Sequence, residues 1–466
     1  MNRSPFLNLY EFLARISYED LPERIVALAK RCLMDTIGIS VGASGVDMGK
    51  RLVALHDIHG DSQGDASIIG TKKKVPAAHA AFINGSLAEV LEMQDGIRYG
   101  GVHPSSTVIP AVLALAQQRQ ISGKEVILAV FAGYEFLGRL TRLIYPQPFW
   151  RGFNMTGVCG AFGAAVGCSK LLNFTDRQMA NAVGISGMYS PLSSRESFYY
   201  EIKPTHAGRA SEAGLLSVLL AERNIQASAQ VLETPGQGGV CTHMIAQCHD
   251  FTQISESLAS RFELEEVYFK PYPSCRHTHG TIQAILDLKE VQPIKAADVT
   301  KVNVRTYDVA LNVVGNRRPG SQSPYCTRQF SIPYVASAAI INGRFGVEEI
   351  FPNPPTEDHF YQFMSKVEVD EDIEITKCYP NATPAAVEIV LNDDKRFLKR
   401  IDLPKGDPRN PMSAKELTSK FKTLVKPKLG ERQADRLISE LSNLEEISDV
   451  SNLLSKISAA PWQERK

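Results

Sequence analysis

Apolar residues recur at spacings of three and four along most of the first 260 positions, the period of helices with one buried side. The strongest case is 22–40, where Ile25, Leu28, Ala29, Cys32, Leu33, Thr36 and Ile37 share a face. Pro22 sits near its start and Asp20 is the candidate cap. The same period predicts helices over 5–17, 76–92, 104–119, 123–144, 156–172, 175–187 and 209–223. Near residue 265 the pattern changes. Val299 to Tyr307 alternates with period two, as does Lys366 to Ile375, and both read as strands. Ala386 to Leu391, the polar turn Asn392 to Lys395 and Arg396 to Asp402 read as a hairpin. Ser331 to Asn342 is an apolar, small-residue helix, and Pro404 to Pro411 is a linker. Helical periodicity returns at 413–425, 428–443 and 446–458.

These patterns predict a mainly α protein with an α+β part. An all-helical body, discontinuous in sequence, takes 1–265 and 405–466, and an α+β lid is inserted at 266–404. With 466 residues, more than one domain is expected. The glycines at 157, 160, 163 and 167 fall on one helical side and lack the dinucleotide spacing, so close helix packing explains them.

Charge and composition remove several function classes. Lys plus Arg and Asp plus Glu number 51 each, which argues against nonspecific nucleic-acid binding and polybasic membrane attachment. No apolar run is long enough to span a bilayer, and residues 1–21 read as an amphipathic helix rather than a signal peptide, so a cytoplasmic protein is expected. The eight cysteines are dispersed without Cys-x-x-Cys, which fits reduced thiols rather than a zinc or iron–sulfur site. The cluster Lys72 to Lys74 reads as a solvated turn.

Candidate chemistry gathers where polar residues interrupt apolar helices. Glu92, Asp95, Arg98 and His103 fall within twelve positions, and His103-Pro104-Ser105-Ser106 opens a new helix. Free N–H groups at that start, with Ser105, suit a carboxylate ligand; a polar loop between core helices is the plainer alternative. Lys203, His206 and Arg209 stand at another helix entrance, suited to a polycarboxylate or simply solvated. Lys270 to Gly280 carries Arg276, His277 and His279 at the change of composition; His-x-His is also a weak metal signal, lacking a nearby carboxylate. Tyr334, after Arg328, is either a packing residue or a proton donor.

Together the stretches NGSLAEVLEMQDG, HPSSTVIPA, the glycine-rich helix after RGFN, KPTHAGRASEAGLL, KPYPSCRHTHG, FSIPYVASAAIINGRFG and KGDPRNPMS resemble the MmgE/PrpD family. Its members include 2-methylcitrate dehydratase, cis-aconitate decarboxylase and iminodisuccinate epimerase. The resemblance implies a helical domain with a lid, a homodimer, and a site between body and lid that needs neither metal nor organic cofactor. It implies Glu92, His103, Lys203, His279 and Tyr334 as catalytic positions, with Asp95 matching a second carboxylate. Arg98, Ser105, Asn154, His206, Arg276 and His277 join Asp95 as expected substrate contacts. Asn154 stands where the decarboxylases carry a His, and Gly96-Ile97 replaces a Thr, which argues against decarboxylation.

The expected activity is a cofactor-independent lyase on a di- or tricarboxylic acid, first a hydro-lyase of the 2-methylcitrate dehydratase kind. An epimerase or isomerase, a decarboxylase, and a non-catalytic polycarboxylate binder are the alternatives. Dehydration, epimerisation and decarboxylation beside carboxylates all build an enolate-like anion, which Lys203, Arg98 and the N–H groups near Ser105 would stabilise. His103 is assigned as base and His279 or Tyr334 as acid, with the reverse order open.

Overall fold

The computed structural model describes residues 4–58, 64–190, 194–233, 239–240, 250–351 and 358–457. Its helices start and stop where local chemistry allows. Ser122 and Thr175 close capping boxes at the starts of Gly123–Ile144 and Asp176–Tyr189. The Asn154 side chain caps Met155–Leu171, and Ser331 caps Ile332–Asn342. One expected cap is absent: Asp20 accepts from the Ser17 backbone and hydroxyl in a short 3₁₀ turn, and Glu23–Ala43 starts after Pro22 without a side-chain cap.

The helix Met155–Leu171 is buried along its whole length, so it has no polar side to place. Helices Pro104–Arg119, Gly123–Ile144, Asp176–Tyr189 and Thr205–Glu222 pack around it. Its glycines permit that closeness. A Cβ on Gly160 would lie 2.5 Å from Thr107, and one on Gly163 2.8 Å from Leu137. Thr205–Glu222 also packs on Ala77–Val90, the helix that leads into the Glu92 to His103 stretch.

The C-terminal helix Ala414–Leu429 returns to lie against Glu23–Ala43, with Phe421 over Gly38. Lys420 donates to Asp35 at 2.7 Å and to the Met93 carbonyl at 2.9 Å, which ties the end of the chain to the backbone beside Glu92.

The smaller α+β part holds a four-stranded mixed sheet in the order 367–371, 299–306, 385–391, 396–401. Strand Val299–Thr306 runs parallel to Val367–Glu371 and antiparallel to Ala385–Leu391, and the last two strands form the expected hairpin. Helices His279–Val291 and Ile332–Asn342 pack against the sheet and each other. The first was not anticipated; it begins inside the His-rich stretch Lys270 to Gly280. The alternation at 366–375 does not stay a strand: it ends at Glu371, because Asp372 accepts from the N–H of Glu374 and Ile375 and starts a short helix. Residues 404–411 are no open tether. Gly406, at φ +92°, accepts from the Phe269 N–H at 3.0 Å, and a Cβ there would meet that residue's carbonyl oxygen.

The six described cysteines are free thiols, five of them buried; Cys241 and Cys248 lie outside the described residues. Lys72 to Lys74 are exposed, as a solvated turn requires. No helix among the described residues is long and apolar enough to cross a membrane.

Candidate active site

A cavity opens where the ends of the helical body meet the 268–277 segment and the sheet-bearing part. Glu92, Arg98, His103, Asn154, Lys203, His206, Tyr268, Arg276, His277 and Tyr379 are on its wall. Its floor is a buried charge cluster. Helix Ala77–Val90 stops, and Glu92 turns back at φ +53°, a left-handed conformation that a residue with a Cβ adopts only when its surroundings hold it. Two ammonium groups do so. Lys203 bonds one Glu92 oxygen, and Lys270 donates to the other at 2.7 Å. Lys203 also donates to Glu89 at 2.5 Å, and Glu89 accepts from the Ser106 hydroxyl at 2.9 Å. All four charged residues are at most 2% exposed.

Pairing decides their protonation. Burial is the largest single influence and works to raise the Glu92 and Glu89 carboxyls, but the neighbouring charges together outweigh it, Lys203 first, joined at Glu92 by Lys270. Glu92 is held well below the usual carboxylate range and Glu89 at about 2. Burial likewise works against the Lys203 charge, and the two carboxylates reverse it, raising its pKa. The cluster is two anions and two cations at neutral pH.

His103 is the N-cap residue of Pro104–Arg119. Its Nδ1 lies 2.6 Å from the Asp95 carbonyl oxygen, and its backbone N–H donates to the Thr156 hydroxyl at 3.1 Å. A carbonyl oxygen can only accept, so the ring proton sits on Nδ1 and Nε2 carries the free lone pair. Burial, helped by the Lys270 charge, lowers the His103 pKa to about 4, so the ring is neutral at pH 7. Nε2 has no hydrogen-bond partner among the described residues, and the side chain faces the cavity.

The other wall residues are fixed by their own contacts. The Asn154 carbonyl caps its helix by accepting from Thr156 N–H at 3.0 Å, and its amide nitrogen lies 3.2 Å from His206 Nε2. His206 is pushed down to about 4 by burial. His277, pushed down to about 3 by burial and then by Lys270, meets the Tyr307 hydroxyl. Tyr307 stacks on Tyr379 with centroids 4.8 Å apart, and Tyr379 meets Tyr145. Arg276 donates to the carbonyls of Pro404 and Lys405, both at 3.0 Å, and has no carboxylate within ion-pair distance among the described residues.

Several expected roles change on this geometry. The start of Pro104–Arg119 does not wait for a substrate carboxylate. Asp95 already fills it, accepting from Ser105 N–H at 3.1 Å and from the Tyr134 hydroxyl at 2.7 Å, and neither Asp95 nor Ser105 is on the cavity wall. Burial raises Asp95 to about 6, against those two donors. Lys203, expected to pair with substrate, is spent on Glu89 and Glu92. Arg98 lines the cavity but is paired with Glu266. His279 and Tyr334 are not on the wall. The His279 Nε2 is bonded to the Ser274 carbonyl at 3.1 Å, with Nδ1 buried and unpartnered. The Tyr334 hydroxyl donates to the Glu349 carbonyl at 2.7 Å behind the 332–342 helix, and burial raises its pKa. Thus Glu92, His103 and Lys203 come together, while His279 and Tyr334 stand apart.

Glu89, Lys270 and Tyr268 were missed. Glu89 lies one residue short of the end of an apolar helix, and its spacing of three from Glu92, one helical turn, was the available signal. Lys270 was in the quoted His-rich stretch but was given no role. Among the described residues, no group of three or more His, Cys, Asp and Glu is arranged to hold a metal ion.

The described residues thus form helices around a buried glycine-rich helix, with a small mixed sheet beside a polar cavity. The MmgE/PrpD N-terminal domain matches residues 8–248 and the MmgE/PrpD C-terminal domain matches 272–446, and the chain belongs to this family. The cis-aconitate decarboxylase of Mus musculus is 25% identical over 447 residues, covering 93% of this chain and 89% of that protein. That of Aspergillus terreus is 24% identical over 458 residues, covering 95% and 93%. The 2-methylcitrate dehydratase of Salmonella typhimurium is 20% identical over 461 residues, covering 92% and 90%. These relatives are lyases.

Proposed function

We propose that this chain is a cofactor-independent lyase that removes a proton next to a carboxylate of a di- or tricarboxylic acid, first a hydro-lyase like 2-methylcitrate dehydratase. The observation that carries the reading is His103: a neutral imidazole on the cavity wall, its proton pinned on Nδ1 by the Asp95 carbonyl and its Nε2 without a partner among the described residues. That is the form of a general base. Arg276, with no carboxylate within ion-pair distance among the described residues, supports an anionic substrate. Lys203 and Lys270 are already paired with Glu89 and Glu92, so Arg276 would supply the positive field beside the anion as it forms. The α+β part would act as a lid over the cavity, in a cytoplasmic homodimer that binds neither nucleic acid nor membrane.

Decarboxylation is the second reading, favoured by the cis-aconitate decarboxylases standing nearer in sequence than the dehydratase. Against it, Asn154 is an amide with no proton to titrate, held as a helix cap. Incubating the protein with 2-methylcitrate and with cis-aconitate separates the two. Loss of water from the first supports the hydro-lyase; release of carbon dioxide from the second with the first untouched transfers the assignment.

A further inference from the structure

Among the described residues, two residues on the cavity wall, Thr383 and Tyr268, have hydroxyls without a partner, and only the Tyr268 one stands beside His103. Tyr268 lies in the two-residue strand Val267–Tyr268, paired in antiparallel register with Gly96. The residue is 5% exposed, and its Oη makes no hydrogen bond to any described residue. A largely buried phenol ordinarily finds an acceptor, so one left open toward a cavity is set up for a ligand. Its position is specific. A Cβ on Gly96 would lie 2.4 Å from Tyr268 Oη and 3.0 Å from His103 Nδ1, so the hydroxyl and the His103 ring close on space that only glycine at 96 leaves free. The Arg276 guanidinium stands 4.8 Å from the centre of the Tyr268 ring, which draws electron density from the phenol and sharpens its O–H as a donor. The hydroxyl keeps its proton: burial raises its pKa well above 10, with Arg276 pulling the other way.

We propose that the Tyr268 hydroxyl is a catalytic hydrogen-bond donor to the substrate carboxylate beside the carbon that His103 deprotonates, and that Gly96 is the residue that admits it. This rests on the function proposed above. When the C–H proton leaves to His103 Nε2, its electron pair spreads onto the oxygens of the adjacent carboxylate. A donor already in place there bonds more strongly as that charge grows, and so acts on kcat rather than on ground-state binding.

The test is Tyr268→Phe in the full chain, which removes only the oxygen. It is assayed beside the unaltered protein and His103→Ala by NMR in D₂O on a panel of di- and tricarboxylates that includes 2-methylcitrate and cis-aconitate. The expected result is a kcat lower by about 10²–10³-fold with KM little changed and an unaltered melting temperature. Gly96→Ala should lower kcat in the same direction. Turnover by Tyr268→Phe within about threefold of the unaltered protein, or a raised KM with kcat intact, overturns the proposal. If His103→Ala is inactive while Tyr268→Phe is not, this inference falls alone. If the unaltered protein acts on nothing in the panel, the proposed function falls and takes this inference with it.

Discussion

The tautomer and charge of His103 are set by its surroundings. The Asp95 carbonyl selects its tautomer, and burial beside Lys270 keeps it neutral well below the usual imidazole range. The acid limb of kcat/KM should therefore lie near pH 4 rather than near 6.5; a limb at 6.5 to 7 in a pH–rate profile would show that His103 is not so perturbed. The buried cluster makes a second prediction. Lys270→Ala leaves Glu92 with one counter-charge and a cavity, and removing one partner of a buried pair costs about 3–5 kcal/mol, which denaturant unfolding would read directly. At this scale the sequence was partly legible. Five residues were expected in one pocket, and the cavity wall has Glu92, His103 and Lys203 on it but not His279 or Tyr334. The sequence did not show that Lys203 already has two carboxylates, because Glu89 and Lys270 lie 114 and 67 positions away along the chain from Lys203 and are joined only by folding.

Helix contacts in the body leave almost no room around the small residues. A Cβ on Gly214 would stand 2.5 Å from that of Ala164 and 2.6 Å from the Ala161 carbonyl oxygen, whereas one on Gly320 would meet nothing within 4 Å. Gly214→Ala should destabilise by about 1–3 kcal/mol through overpacking, while Gly320→Ala should leave the melting temperature nearly unchanged. Most helices and the hairpin were readable from periodicity, since burial on one side imposes a period of 3.6 or 2. His279–Val291 was not, because its first turn holds histidine and glycine in a stretch rich in polar and Pro residues. Nor was the end of the strand at Glu371, because Asp372 looks like one more alternating position until its side chain caps a helix.

Across the whole molecule, the site is held by segments far apart in sequence. Lys420 of the C-terminal helix reaches the Met93 carbonyl, and the Pro404 and Lys405 carbonyls hold Arg276. Such convergence leaves no trace in a linear pattern, which is why 404–411 reads as a linker. Burying neutral histidines here also sets a pH dependence of stability. His103, His206 and His277 have folded pKa values near 4, 4 and 3 against a reference of 6.5, so the unfolded chain takes up protons first as pH falls. Their stabilisation is complete above about pH 6.5 and is lost as pH drops toward 4 and 3. Asp95, raised to about 6, and Glu263, raised to about 8, oppose this, as do the raised carboxyls of Asp35 and Glu135, while His279, lowered well below its ordinary value, adds to it. With the histidines prevailing, the melting temperature should fall between pH 6.5 and 4; a rise over that interval would show that the carboxyls prevail instead.

The most direct measurement of the central claim follows C–H bonds beside carboxylates by proton NMR in D₂O, with the protein acting on a panel of di- and tricarboxylates. The account predicts that one acid loses, or exchanges for deuterium, a hydrogen on a carbon next to a carboxylate, and that His103→Ala slows this by about 10²–10⁴-fold while remaining folded. Turnover that leaves every such hydrogen in place, or exchange that proceeds at full rate in His103→Ala, would contradict it.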